Sequence, residues 1–129
     1  MLPLVSFADT LDYWSVYIND SLIAKYNSIS TDNSIILNKK LIEEYDTISI
    51  KYGNDHPCSK CEYYFAVKDK DNGIKIHVER SKYIYKKINF PISKLKEFKH
   101  SNEFEFFVYE DRFLDDKNYY TLLVKLKIE

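Results

Sequence analysis

The stretch that most restricts what this chain can fold into runs from Cys61 to Arg80. In Cys61-Glu-Tyr-Tyr-Phe-Ala-Val-Lys68, Tyr63, Phe65 and Val67 share one face of an extended chain. Glu62, Tyr64, Ala66 and Lys68 share the other, because successive side chains of a strand point to opposite sides. After Asp69-Lys-Asp-Asn-Gly73 the alternation resumes, with Ile74, Ile76 and Val78 inward and Lys75, His77 and Glu79 outward. Period-two alternation on both sides of a polar turn ending in glycine predicts a long β-hairpin. A two-residue loop at Asn72-Gly73 would turn Asp69 and Asp71 onto the buried face. A four-residue loop, Lys70 to Gly73, avoids most of that and pairs Val67 with Ile76 and Phe65 with Val78. Gly73 then takes the positive-φ position that glycine alone occupies cheaply.

An earlier hairpin is expected over residues 13–26. Trp14, Val16 and Ile18 share a face, Tyr13, Ser15 and Tyr17 the other, and Asn19-Asp20 suits a type I′ turn. That register sets Tyr17 opposite Leu22, Ser15 opposite Ala24 and Tyr13 opposite Tyr26. Both faces are then partly apolar, so the hairpin is expected to be covered on both sides or used at a contact. Ile35-Ile-Leu37 predicts a short buried strand, and Asn38 predicts a cap for one or two helical turns through Tyr45. Thr47 to Tyr52 alternates through Ile48, Ile50 and Tyr52. Residues 81–90 continue as strand, with Tyr83 and Tyr85 opposite in facing to Ile84, Ile88 and Phe90. Pro91 ends that run, and Ile92, Leu95 and Phe98 predict a short helix with Ser93 as its cap. Phe104, Phe106 and Val108 face inward on the next strand, Phe107 and Tyr109 outward. Leu122, Val124, Leu126 and Ile128 are the inward residues of the last strand.

No strand–helix–strand alternation occurs, so parallel pairing is not expected. The pattern predicts an all-β fold in one domain spanning residues 1–129. Its form is an antiparallel β-sandwich, immunoglobulin-like or C2-like, with eight or nine strands and at most two short helices. A flattened barrel is the alternative. A chain of 129 residues that is 45% hydrophobic can bury a core without covalent staples.

Function is much less legible. The formal net charge is -1, and of 19 basic residues only Arg80 and Arg112 are arginine. Neither a global field nor a supply of bidentate guanidinium groups points to nucleic acid. No segment approaches the ~20 apolar residues of a membrane span, and Met1 to Asp9 lacks the basic start and apolar run of a secretory signal. The expectation is a cytoplasmic protein without nucleic-acid or membrane partners; its oligomeric state is open. With 2 Gly, no glycine-rich phosphate loop can form.

His56-Pro-Cys58-Ser-Lys-Cys61 is the one stretch with metal-ligand spacing. Two thiolates and one imidazole leave a zinc site a ligand short, and His77 and His100 stand apart, so no metal and no cofactor is expected. Glu43-Glu44, Asp69 with Asp71, Asn54 with Asp55, and Asp111 with Asp115 and Asp116 can suggest calcium or hydrolytic carboxylates. All are expected to be solvated turn residues, since turns favour Asp and Asn for backbone reasons. No catalytic constellation is visible.

The surplus is aromatic: 12 Tyr and 8 Phe. Tyr64, Tyr83, Tyr85, Phe107 and Tyr109 fall on the nominally polar sides of their strands and are the candidate contact residues. Tyrosine and phenylalanine combine large buried area with few rotors, which suits a protein interface. The expected function is a non-enzymatic protein-binding module that meets its partner through an aromatic sheet face or hairpin tips. A small inhibitor, immunity or anti-defence protein of a bacterium or phage fits that description. A carbohydrate-binding module of a secreted protein is the alternative.

Overall fold

Alternation of large apolar side chains leaves two kinds of strand face, and the chain satisfies them by stacking two sheets. The computed structural model describes residues 12–40, 43, 46–54, 62–70, 75–82, 85–96, 102–110 and 120–129 (the backbone alone for 75–79 and 96). Among them are strands β1 (Asp12–Ile18), β2 (Ser21–Asn27), β3 (Ser34–Leu37), β4 (Thr47–Asn54) and β5 (Tyr63–Asp69). There follow β6 (Lys75–Ser81), β7 (Lys87–Pro91), the short helix α1 (Ile92–Lys96), β8 (Glu103–Glu110) and β9 (Thr121–Ile128). One sheet has the order β2-β1-β4-β7 and the other β3-β9-β8-β5-β6. The fold is the all-β sandwich that the alternation predicts.

The inward faces interdigitate into one core. Trp14, Val16, Ile48, Ile50, Ile88 and Phe90 come from the first sheet, and Phe65, Val67, Phe104, Phe106, Val108 and Val124 from the second. Ile92 and Leu95 of α1 close one end. Phe90 meets Phe106 edge to face, centroids 5.0 Å apart. Trp14 Nε1 reaches between the sheets and donates to the Leu123 carbonyl at 2.8 Å, so its one polar atom is satisfied inside the core.

Hairpin registers differ from expectation because both hairpins are bulged. Asn19 and Asp20 do form the tight turn, with φ of 46° and 71°, and Tyr17 lies opposite Leu22. Beyond it Ile23 is an extra residue, so Ala24 pairs with Val16, Lys25 with Ser15, and Tyr26 with Trp14. A bulge inserts one residue and thereby swaps the facing of everything past it. Ala24 and Tyr26 join the core edge, and Lys25 and Asn27 turn outward. In the second hairpin a bulge after Val67 pairs Val67 with His77 and Phe65 with Glu79, one residue away from the expected partners. Of the expected turn, Lys70 to Gly73, residues 71–73 lie outside the described residues. Another irregularity between Phe106 and Phe107 makes Leu123 a buried core residue and sets Leu122, expected inward, opposite Phe107.

Other expectations fail for topological reasons. β3 pairs with β9 in parallel, Ile35 opposite Leu126. The five strands β4 to β8 and α1 lie between them in sequence, so no local crossover is needed. β3 is an edge strand, which leaves Ile36 exposed instead of buried. The run after Ser81 is not one strand: β6 and β7 belong to different sheets. Ser93 lies inside α1, whose first N–H, from Ile92, is taken by the Asp46 carbonyl at 2.9 Å. Asn38 Oδ1 accepts from Lys40 N, forming an Asx turn; residues 41, 42, 44 and 45 lie outside the described residues. Asp69 is not a solvated turn residue but the fully buried last residue of β5. Among the described residues no buried side-chain nitrogen or oxygen lacks a hydrogen-bond partner, so burial of its carboxylate is compensated.

Candidate functional site

With the inner faces committed to the core, anything this domain binds must meet an outer face, an edge or a loop. The candidate contact residues divide between the outer faces. Tyr64 and Tyr109 stand directly opposite each other on β5 and β8, stacked with centroids 5.2 Å apart and planes 10° apart. Phe107 continues the stack at 6.0 Å, and Tyr120, which the alternation did not single out, closes on Phe107 at 5.3 Å. Lys68 Nζ lies 5.8 Å from the centroids of Phe107 and Tyr120. At the centre of this outward-facing cluster Phe107 is 6% exposed and its neighbour Ala66 fully buried, Tyr64 and Tyr109 are half-buried, and Tyr120 at its rim is 47% exposed. Tyr83, His56, Cys58 and Cys61 lie outside the described residues.

Tyr85 belongs to the other face. Its φ is 69°, a left-handed conformation that costs a bulky residue about 1 kcal/mol or more. The backbone is held there by Tyr85 N donating to the Tyr52 carbonyl at 2.7 Å. The hydroxyl donates to the Asn54 carbonyl at 2.5 Å. The ring therefore folds back along β4 and meets Tyr13, centroids 6.4 Å apart. Gly53 makes that possible. A Cβ at this position would come within 2.5 Å of the Tyr13 ring and 2.6 Å of the Tyr85 ring.

Cross-strand register completes the surface, since residues directly opposite share a face. One row reads Leu22 and Tyr17 across β2 and β1. The next reads Lys25, Ser15, Lys51 and Lys87 across all four strands. The third reads Asn27, Tyr13 and Gly53, with Tyr85 alongside. All of these but Asn27 and Lys87 line an open groove of about 430 Å³, with Tyr13, Tyr17, Leu22 and Tyr85 as walls and Ser15 and Gly53 as the small residues between. Tyr13 and Tyr85 are 41% and 45% exposed. Lys87 turns aside to cover the Tyr17 ring at 4.1 Å and to pair with Asp20 at 3.2 Å. At the end of the groove Tyr52, inward on β4, donates its hydroxyl to Asp12 Oδ2 at 2.6 Å, and Asn54 Nδ2 donates to Oδ1. Burial first, and the Asp12 carboxylate second, push the Tyr52 phenol above its ordinary value of 10.0.

Ser15, Lys25, Lys51 and Gly53 were not candidates from sequence. Tyr13, Tyr17 and Leu22 were visible only as the second apolar face of the first hairpin. Comparison with family models, with curated proteins and with solved structures finds no match for this chain.

Proposed function

We propose that the protein is a non-catalytic binding module that meets a protein partner with the outer face of its four-stranded sheet. The observation that carries this reading is the ring of exposed Tyr13, Leu22 and Tyr85 around an open groove. Exposed aromatic and aliphatic groups gathered at one place mark contact sites. Tyrosine brings large area with two rotors and a hydroxyl that stays satisfied on either side of the contact. The strained Tyr85 backbone supports the same reading, because strain of this kind persists where a side chain must be aimed. A small inhibitor, immunity or anti-defence role remains the kind of function such a motif-free module would serve. The stacked Tyr64, Phe107 and Tyr109 offer less surface to a partner, since Phe107 is already buried.

The test is affinity capture from cells that make the protein, using as baits the wild type, Tyr13→Ala with Tyr85→Ala, and Tyr64→Ala with Tyr109→Ala. One partner retained by the wild type and the last bait, and lost by the first pair, is the expected result. Equal retention by all three baits overturns the reading, as does a purified oligosaccharide bound at this groove in place of a protein.

A further inference from the structure

The two outer faces handle their lysines differently. On the five-stranded sheet, Glu105 of β8 stands between Lys125 of β9 and Lys68 of β5. Its carboxylate lies 3.5 Å from Lys68 Nζ. In the adjoining row Glu103 lies opposite Lys127, pairs with it at 3.9 Å, and pairs with Lys70 at 2.8 Å. Glu105 thus neutralises Lys68, and Glu103 neutralises Lys70 and Lys127, while Lys125 stands beside Glu105 without an ion pair of its own among the described residues. On the four-stranded sheet the place between Lys25 and Lys51 belongs to Ser15. Neither lysine has an ion pair or a side-chain hydrogen bond among the described residues. Lys51 also lies opposite a third lysine, Lys87. Like charges in direct opposition destabilise a sheet; Lys87 is relieved by turning to Asp20, and Lys25 and Lys51 are left without such a partner among the described residues.

We infer that the groove recognises an acidic segment of its protein partner, whose carboxylates enter the Lys25–Ser15–Lys51 row and do there what Glu105 does on the opposite sheet. This rests on the binding reading above and adds the chemistry of the partner. Lys25 and Lys51 sit two strands apart, a separation of ~10 Å at the usual strand spacing, with only the Ser15 side chain between them. An extended segment laid across the strands offers a side chain on one side about every 7 Å, within reach of both lysine stems. Tyr13 and Tyr85 flank one side of the row and Tyr17 and Leu22 the other, so apolar residues beside the carboxylates also find contacts. The lining favours acidic protein over neutral sugar. Its cations, Lys25 and Lys51, find no opposite charge on a neutral sugar.

The experiment uses the full chain, isotopically labelled, and three synthetic peptides identical except that acidic positions among Leu and Phe are Glu, Gln or Lys. The Glu peptide is expected to bind and to shift the amides of Ser15, Lys25 and Lys51, more weakly at high salt; the Gln and Lys peptides are not. Lys25→Glu with Lys51→Glu is expected to weaken binding roughly tenfold or more. Ser15→Glu is the sharper variant. It supplies the missing carboxylate from within, so it should hold or raise the melting temperature while abolishing binding. Equal binding of the Gln peptide, no binding of the Glu peptide, unchanged affinity in Ser15→Glu, or tighter binding of a sulfated oligosaccharide each overturns the inference. A natural partner lost by Tyr13→Ala with Tyr85→Ala but kept by Lys25→Glu with Lys51→Glu leaves the groove as the contact and refutes its acidic specificity. A partner kept by both pairs refutes both.

Discussion

The outer faces of the two sheets have similar raw material and opposite finish. Each carries tyrosines and lysines. On the five-stranded sheet Tyr64 and Phe107 both stack on Tyr109, with Tyr120 tilted against Phe107 at the exposed rim, and Lys68, Lys70 and Lys127 meet Glu105 and Glu103. On the four-stranded sheet Tyr13 and Tyr85 stand exposed, and Lys25 and Lys51 flank Ser15 with no carboxylate between them. The difference teaches that an aromatic surplus is no guide to binding until its burial is known. Phe107, packed between Tyr109 and Tyr120, has spent its surface inside the molecule.

The largest test of this comparison is paired alanine substitution. Phe107→Ala removes a buried ring and is expected to cost about 3–5 kcal/mol in a denaturant titration, through lost burial and a cavity. Tyr13→Ala is expected to cost about 1 kcal/mol or less, as exposed substitutions do. Similar costs at both positions would erase the distinction between the faces.

Next in size is the anchor beneath the groove. Tyr52→Phe deletes the hydrogen bond to Asp12 and is expected to cost about 1.5–3 kcal/mol, the range for a bond to a charged group. Its pH dependence has a definite sign. The folded phenol holds its proton above the ordinary value of 10.0, so as pH rises the unfolded chain ionises first. The contribution is complete below about pH 10 and is lost as pH climbs from there toward the folded value. The stability difference between wild type and Tyr52→Phe should therefore shrink in alkali; a constant difference would mean that the phenol is not the titrating group.

How much of this was legible follows from which physics each feature needs. Inward facing at Trp14, Val16, Ile48, Ile50, Phe104 and Phe106 is a property of one strand at a time, and alternation carries it. Cross-strand rows need registers, and the bulges at Ile23 and after Val67 shift registers without any mark in the hydrophobic pattern. The Lys25–Ser15–Lys51 row needs in addition the pairing of β1 with β4, which are separated in sequence by β2 and β3. Tyr85 was a candidate by facing, but its partners across Gly53 and Asn54 arise only where β7 is placed beside β4. Nothing in residues 83–90 announces the change of sheet. Asp69 misled because an acidic residue beside a polar turn is ordinarily solvated.

A smaller effect bears on the groove's shape. Gly53→Ala puts a methyl group into the Tyr13 and Tyr85 rings. Both rings lie at the surface and can swing away, so the stability cost is expected at about 1 kcal/mol, the low end for overpacking. Partner capture should fall much further than stability does. If capture is unchanged while the ring resonances of Tyr13 and Tyr85 move, the groove is not the contact.

The smallest expected effect separates the faces by their charges alone. Hydrogen bonding to Lys70, then the charges of Lys70 and Lys127, hold the Glu103 carboxyl below its ordinary value of 4.5. A depressed folded pKa contributes stability above the unfolded value and loses it as pH falls through the folded one. Glu103→Gln should thus be slightly less stable than wild type at neutral pH, with the difference fading below pH 4.5 and fading also in high salt, which screens exposed pairs. Lys25→Gln and Lys51→Gln on the other sheet are expected to do the reverse. They relieve a repulsion and break no pair, so they should leave stability unchanged or raise it, with no acid-dependent component. A neutral-pH loss at Lys25 or Lys51 equal to that at Glu103 would show that these lysines are already neutralised within the chain, and the acidic partner would lose its reason.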